Sequence, residues 1–214
     1  MIVVKICGLT HLDDALAAVD AGADLLGFVL VASSPRSVSL RCVDRIVGAL
    51  RARGLDTPCV GVVAGMAPAQ ALRAREWAGF DLMQVHDPEP GSLAAALYPH
   101  VIVARQVTGP ESLAGLERVP AYAYLLDARG PERRAEAGIP WDWRLLGQAR
   151  LPRRTFLAGG LHPGNVAQAV REANPYGVDV ASGVEAAPGR KDRAAVQRFV
   201  RAVREVDGGN ETRV

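Results

Sequence analysis

The fold is decided by the stretch Gly22-Ala23-Asp24-Leu25-Leu26-Gly27-Phe28-Val29. Its first glycine is typical of a helix end, and the apolar run that follows has the composition of a buried strand. Similar stretches recur as Gly79-Phe-Asp-Leu-Met-Gln-Val and Gly177-Val-Asp-Val-Ala. The spacings between these glycines are close to two and four units of ~25 residues, the length of a strand, a helix and two short loops. The sequence is therefore a faint repeat of strand–helix units.

Eight runs along the chain are apolar, short and rich in residues that favour strands. They are Ile2–Ile6, Leu25–Val31, Cys59–Val63, Leu82–Val85, Val101–Val107, Tyr122–Leu126, Thr155–Ala158 and Val178–Ala181. Because the runs are continuous rather than alternating, both faces of each strand are expected to be buried, as in a parallel sheet covered by helices. Helical periodicity lies between them, for example at Leu12, Leu16 and Val19, at Val43, Ile46, Val47 and Leu50, and at Val196, Phe199, Val200 and Val203.

Eight such units fill the 214 residues. This favours a single-domain (β/α)8 TIM barrel over an open doubly wound sheet, which has fewer strands and a stronger glycine fingerprint. We expect the barrel to occupy residues 1–207 and a short polar tail to occupy residues 208–214.

The composition excludes several classes of function. Hydrophobic residues make up 49% and charged residues 22%, no apolar run approaches the ~18 residues of a membrane span, and no signal-peptide pattern is present. The formal charge is +2 with arginines and acids interspersed, so nucleic-acid binding is not expected. Three scattered cysteines predict a reducing, cytoplasmic location. The pattern leaves a monomer and a homodimer both open.

Polar residues at the carboxyl ends of the strands are the candidates for chemistry, because active sites of such barrels lie there. Cys7 follows the first strand and Asp127 follows the sixth. A thiol and a carboxyl group suit a reaction that removes one proton and donates another without a cofactor. We expect a nearby cation or a helix N-terminus to lower the pKa of the cysteine, and a desolvated aspartic acid to keep its proton. Cys7 as a small buried hydrophobe and Asp127 as a helix cap or a partner of an arginine remain the alternatives.

Two glycine-bearing loops predict an anion site. Gly159 and Gly160 follow the seventh strand, and Ser182 and Gly183 follow the eighth. Glycines let backbone N–H groups approach a phosphate closely, and this pair of loops is a common phosphate site in the fold. The alternative is that the glycines only form tight turns.

Other polar residues near the strand ends have more open roles. Arg36, after the second strand, could hold a carboxylate with two hydrogen bonds or be a surface arginine. His86 could face the pocket or cap its strand, and Arg105 is a further candidate at the mouth. No metal site is expected, because the four histidines show no paired spacing with cysteine or acid: His11, His86, His100 and His162.

The chain resembles the phosphoribosylanthranilate isomerase family of tryptophan biosynthesis. The resemblance rests on motifs in order along the chain: Lys5-Ile6-Cys7-Gly8-Leu9-Thr10, Gly22 to Val29, Ser34-Pro35-Arg36, Gln84-Val85-His86, Leu125-Leu126-Asp127, Leu157-Ala158-Gly159-Gly160-Leu161 and Val178 to Glu185. It implies a (β/α)8 barrel that carries out a cofactor-free Amadori rearrangement of a phosphosugar, N-(5-phosphoribosyl)anthranilate, to 1-(2-carboxyphenylamino)-1-deoxyribulose 5-phosphate.

The same resemblance implies roles for single residues. Cys7 would remove the C2 proton of the ribose, and Asp127 would protonate the ring oxygen. Arg36 would hold the anthranilate carboxylate. The other implied contacts are to the substrate or its 5-phosphate: Asp179 and His86 for the substrate, and backbone groups of Gly159, Gly160, Ser182 and Gly183 for the phosphate.

The chain departs from the family pattern beside the acid. A charged segment, Arg129 to Ile139, stands where the family usually has a glycine-rich loop, Asp87 replaces a glycine, and Val103 replaces a lysine. Two alternatives therefore accompany the isomerase: a specialised relative acting on another N-ribosyl phosphate or a substituted anthranilate, and a barrel that binds a phosphosugar without turnover.

Overall fold

Parallel strands closed into a ring form the centre of the molecule. The structure, a computed structural model, describes residues 1–86, 90–127, 143, 146 and 151–210. Within these residues eight strands pair in chain order and the last pairs with the first, which confirms the (β/α)8 barrel. The strands are β1 Val3–Ile6, β2 Leu25–Val29, β3 Cys59–Ala64, β4 Leu82–His86, β5 Val101–Gln106, β6 Ala123–Asp127, β7 Thr155–Ala158 and β8 Gly177–Val180.

Helices cover the outside of the ring. In the described part of the chain they are α1 Leu12–Asp20, α2 Leu40–Arg51, α3 Pro68–Ala78, α4 Pro90–Leu97, α5 Val166–Ala173 and α6 Arg193–Asn210. Helix α2 begins where the Ser39 hydroxyl accepts a hydrogen bond from the N–H of Cys42, and it ends close to Gly54. Its periodic apolar residues are buried against the barrel, as the pattern predicts: Val43, Ile46, Val47 and Leu50.

The connection from β5 to β6 differs from the strand–helix repeat. The structure describes this connection throughout, and it holds two 3-10 helices, Pro110–Leu113 and Leu116–Arg118, in place of an α-helix. Gly109 and Pro110 interrupt the helical pattern, and Gly115 has a left-handed backbone with φ of 70°. A short antiparallel hairpin, β9 Glu185–Ala187 and β10 Arg190–Lys191, follows β8 and was not predicted.

Alternate residues of each strand point into the barrel. Apolar side chains fill the interior nearer the amino ends of the strands, among them Val60, Leu82, Ile102, Ala123 and Phe156. Toward the carboxyl ends the same inward alternation reaches polar residues: Lys5 and Cys7, Gln84 and His86, Asp127, and Asp179. The fold therefore brings those polar groups to one mouth.

The last helix runs further along the chain than the sequence predicted. Helix α6 packs its buried Val196, Phe199, Val200 and Val203 on the barrel and continues to Asn210, three residues into the segment predicted as a tail. Residues 211–214 lie outside the described part. Among the described residues, no helix combines the length and apolar character needed to span a membrane.

Candidate active site

The Cys7 thiol is enclosed at the barrel mouth. The residue follows β1 directly, its N–H donates to the carbonyl of Val180 over 2.8 Å, and only 6% of its surface is exposed. Gly27 of β2 faces it: a Cβ atom on Gly27 would lie 2.8 Å from Cys7 Sγ. Because no side chain fits there, the glycine is the residue that leaves room for the thiol.

A buried ion pair lies beside this thiol. Lys5 is fully buried, and its Nζ donates to Asp179 Oδ1 of β8 over 2.8 Å. The two residues are direct partners in the β1–β8 register, and the positive charge of Lys5 acts on the Cys7 thiol. Sequence reasoning missed the role of Lys5. Its signal was a lysine inside an apolar strand, two residues before Cys7 and therefore on the same inward face.

The charges around Cys7 do not lower its pKa as the sequence led us to expect. Burial raises the pKa of the thiol, and although Lys5 and Lys191 act to lower it, Asp179 acts with the burial. The predicted direction of the shift is therefore wrong, because desolvation of the thiolate outweighs the two cations. For Lys5, burial acts to lower the pKa, but Asp179 and Cys7 outweigh it and raise the pKa above its ordinary value. The lysine is thus charged at neutral pH.

Arg36 is held in place by a carboxylate. Its Nε donates to Glu185 Oε1 over 2.8 Å, and its Nη2 donates to Glu185 Oε2 over 2.6 Å. A two-point pair of this kind fixes the plane of the guanidinium. The guanidinium is therefore ion-paired and partly buried, with 22% of the side chain exposed. The ion pair orients the guanidinium at the mouth, and the Nη1 atom takes no part in it.

A second buried cation supports Glu185. Lys191 Nζ donates to Glu185 Oε1 over 2.9 Å and to the carbonyl of Ala181 over 3.0 Å, and its backbone N–H donates to Asp14. Burial acts to raise the pKa of Glu185, but its hydrogen bonds with Arg36 and Lys191 outweigh this and lower it. Burial lowers the pKa of Lys191. Sequence reasoning missed this triad, because the β9–β10 hairpin that carries two of its members is too short to leave a periodic pattern.

His86 is the last residue of β4, and charged groups of the mouth act on its pKa. Burial lowers its pKa, Lys5 lowers it further, and Asp127 and Asp179 act in the opposite direction. The imidazole is therefore neutral near pH 7. Its Nε2 lies 2.7 Å from the amide nitrogen of Gln84, so with the amide as donor the ring proton is on Nδ1. The inward alternation of β4 puts this ring at the same mouth as Lys5 and Asp127.

Asp127 is the last residue of β6 and half-buried. Its carbonyl accepts a hydrogen bond from Val107 N–H over 2.8 Å, and its inward position pairs in register with Gln106 of β5 and Ala158 of β7. The strand positions thus put Asp127 and Cys7 at the same end of the barrel. The charged segment Arg129 to Ile139 beside it lies outside the described residues.

The two glycine-bearing loops touch each other. Gly159 and Gly160 have left-handed backbones, with φ of 90° and 72°, which suit glycine. Gly183 packs so closely on the carbonyl of Leu161 that a Cβ atom would overlap it. Asn165, just before α5, donates to the carbonyl of Gly160 over 3.0 Å and fixes the first loop. The loops after β7 and β8 are therefore in direct contact.

Arg105 is not part of the mouth. Its position on β5 faces outward, and its Nη1 donates to the carbonyls of Ser112 and Ala114 in the β5–β6 connection. The other two cysteines lie on other elements: Cys42 is on α2 and Cys59 opens β3. In the described part of the chain, no group of three or more histidine, cysteine or acidic residues is placed to hold a metal ion.

Fold and mouth together define a class: a (β/α)8 barrel with a thiol, carboxylates and buried cations at the carboxyl ends of its strands. The model of one protein family, N-(5'phosphoribosyl)anthranilate (PRA) isomerase, matches residues 4–202. The chain belongs to this family.

Relatives and solved structures agree with that membership. The chain is 46% identical to the N-(5'-phosphoribosyl)anthranilate isomerase of Geobacter sp. (strain M21), over 92% of this chain and 95% of the relative. It is similar to the crystal structure of the phosphoribosyl anthranilate isomerase from Thermotoga maritima, with a TM-score of 0.88, 34% identity and coverage of 96% and 100% of the two chains. A further structure of such an isomerase holds reduced 1-(o-carboxyphenylamino)-1-deoxyribulose 5-phosphate; its TM-score is 0.78, with 31% identity over 96% of this chain and 100% of that one.

Proposed function

We propose that this chain isomerises N-(5-phosphoribosyl)anthranilate to 1-(2-carboxyphenylamino)-1-deoxyribulose 5-phosphate, a step of tryptophan biosynthesis. The observation that carries the proposal is the placement of Cys7 and Asp127 on inward positions at the same end of one barrel. Family membership supports it, and so does the related structure that holds a reduced form of this product.

The proposed chemistry needs one acid and one base. Asp127 donates a proton to the ring oxygen, the C1–O bond breaks, and the nitrogen lone pair forms an iminium at C1. The positive nitrogen acidifies the C2–H bond, so the Cys7 thiolate removes that proton and an enolamine forms. C1 then gains a proton while the C2 hydroxyl loses one, which leaves the ketone. Substrate and product have the same atoms and electrons, so residues that move protons suffice for the overall change.

The remaining site residues bind and orient the substrate in this proposal. Arg36, fixed by Glu185, offers its Nη1 edge to the anthranilate carboxylate. His86 offers its Nδ1–H, and Asp179 positions the sugar as one end of its pair with Lys5. The 5-phosphate is held by backbone groups of the two touching loops: Gly159, Gly160, Ser182 and Gly183.

Removing the Arg36 guanidinium should weaken substrate binding more than it slows the chemical step. We expect Arg36→Ala to raise KM about 10-fold or more with a smaller change in kcat, because a lost charge-assisted pair is worth roughly 1.5–3 kcal/mol. Steady-state kinetics checks this. Arg105→Ala is the matched control, since Arg105 bonds carbonyls outside the mouth. A KM for Arg36→Ala close to the control value would remove Arg36 from substrate binding.

The activity should rise with pH. Burial raises the pKa of Cys7, so near neutrality the thiol form dominates and the thiolate fraction grows about tenfold for each pH unit until the pKa is reached. We expect kcat/KM to increase with pH through the neutral and mildly alkaline range. The pH profile of kcat/KM measures this. A profile that is flat across that range would contradict a free-enzyme base with a raised pKa.

Growth of a tryptophan-requiring bacterium that lacks this isomerase tests the proposal in a cell. Expression of the chain should restore growth without tryptophan, and the Cys7→Ser variant at equal protein level should not. If the wild-type chain is made at that level and growth is not restored, the proposed function fails and the specialised relative or the non-catalytic phosphosugar binder takes its place.

For the setting of the enzyme we propose the reducing cytoplasm and a monomer or homodimer. The three cysteines are all free, which supports a reducing compartment. The proposed site residues all come from one chain, so the site is compatible with either oligomeric state. The large exposed apolar side chains in the described part are Met1, Trp77 and Tyr98.

A further inference from the structure

We propose that Lys5 is a positioning residue that holds the thiolate form of Cys7 as its counter-ion, with Asp179 fixing the lysine for that purpose. This inference deepens the proposed function and rests on Cys7 as the base.

The geometry of the strand singles out Lys5. Lys5 lies on β1 and Cys7 follows two residues later, directly after the strand, so both side chains enter the barrel on the same face. The ammonium is completely buried. A buried ammonium needs an acceptor, and it finds Asp179 Oδ1 at 2.8 Å.

Gly27 and the Lys5–Asp179 pair are neighbours of the thiol. On the β2 side, the Cα of Gly27 stands where any side chain would collide with Cys7 Sγ. On the β8 side, the Lys5–Asp179 pair occupies the adjoining register position. The sulfur therefore has the Gly27 backbone on one side, and the Lys5–Asp179 pair occupies the neighbouring positions of β1 and β8.

Three charged groups act on the thiol: Lys5 from its own strand, Asp179 from β8 and Lys191 from β10. The two lysines favour ionisation of Cys7, and Asp179 opposes it. Lys191 is the lesser of the two cations for this purpose, because its Nζ is bonded to Glu185 and to the Ala181 carbonyl. Of the two cations, Lys5 has the larger electrostatic effect on the thiol.

The pairing also explains why a lysine is tolerated in the barrel interior. Asp179 and Cys7 keep the pKa of Lys5 raised despite its burial, so it stays charged while Cys7 gains and loses its proton. A fixed positive charge at that position stabilises the thiolate that removes the C2 proton.

Alkylation by iodoacetamide tests the inference without substrate, because its rate follows the thiolate fraction of each cysteine. Mass spectrometry of the Cys7 peptide gives the rate in the wild type, Lys5→Met and Lys191→Met. We expect Lys5→Met to slow alkylation of Cys7 about tenfold at a fixed near-neutral pH, the effect of a rise in pKa of about one unit. Lys191→Met should have a smaller effect.

Cys59 is the internal reference. Its thiol is buried, burial raises its pKa to about 12, and the charges acting on it are those of Arg51 and Asp81, so Lys5 should not affect it. A variant that unfolds would alkylate faster at both cysteines, which is the opposite of the expected result. Should Lys5→Met unfold, the double variant Lys5→Met/Asp179→Asn removes both buried charges and should still slow Cys7, because Lys5 acts on the thiol more strongly than Asp179 does.

An unchanged rate at Cys7 in the folded Lys5→Met protein, or in the double variant, would overturn the inference. The inference would also be overturned if Lys5→Met lowered kcat/KM by the same factor at every pH. Loss of the counter-ion should instead shift the rising part of the pH profile to higher pH. If Lys5→Met slows the alkylation of Cys7 as expected but the wild-type protein has no isomerase activity, only the proposed function is refuted.

Discussion

Replacement of Cys7 by serine is expected to lower kcat by about 10²–10⁴-fold, the range in which a positioned base contributes to catalysis. A hydroxyl is a far weaker acid than a thiol, so at the pH where Cys7 supplies some thiolate the serine supplies almost no alkoxide. The substitution replaces the sulfur atom by oxygen and leaves the Lys5–Asp179 ion pair in place. Binding should therefore persist, and the loss should appear in kcat rather than in KM.

Steady-state kinetics and the affinity for reduced 1-(o-carboxyphenylamino)-1-deoxyribulose 5-phosphate measure these two properties separately. Cys42→Ser is the matched control, because Cys42 lies on α2 with its Sγ toward the carbonyl of Thr10. We expect the control to keep wild-type kcat. If Cys7→Ser keeps it as well, Cys7 takes no part in proton removal.

Asp127→Asn is expected to have an effect of similar size for the opposite reason. The amide fills the space of the carboxyl group and can hydrogen-bond to the ring oxygen, but it has no proton to transfer when the C1–O bond breaks. We expect kcat to fall by about 10²–10⁴-fold with little change in KM.

The comparison for this variant is Asp20→Asn at the exposed end of α1. It makes the same chemical change far from the mouth and should leave the kinetics unaltered. Wild-type kcat in Asp127→Asn would show that another group opens the ring. Combination with Cys7→Ser adds a check: two groups that act in one reaction sequence should lose less in the double variant than the product of the single losses.

The strands could be predicted from the sequence because both of their faces are buried. Each of the eight runs is a block of apolar residues with turn residues around it, and the observed ends differ from the predicted ones by two residues at most, as at Val29 of β2. The β5–β6 connection could not be predicted in the same way, since Gly109, Pro110 and Gly115 replace an α-helix with two short 3-10 helices.

The charge balance of the mouth was beyond the reach of sequence reasoning. Cys7, Asp127 and Arg36 could be found because each follows a strand, and a strand end is visible in the sequence. The partners of these residues are remote along the chain: Asp179 meets Lys5 across β1–β8, and Glu185 meets Arg36 from a hairpin after β8. The direction of the pKa shift of Cys7 depends on whether burial or the two nearby cations has the larger effect, and this thiol is buried only because the barrel is closed.

The fluorescence of anthranilate, followed after the purified chain is mixed with N-(5-phosphoribosyl)anthranilate, tests most directly whether Cys7 and Asp127 together isomerise this substrate. We expect the wild type to abolish the fluorescence catalytically and to form 1-(2-carboxyphenylamino)-1-deoxyribulose 5-phosphate, while Cys7→Ser and Asp127→Asn scarcely change it. Unchanged fluorescence with the folded wild-type chain, or wild-type rates in both variants, would contradict this expectation.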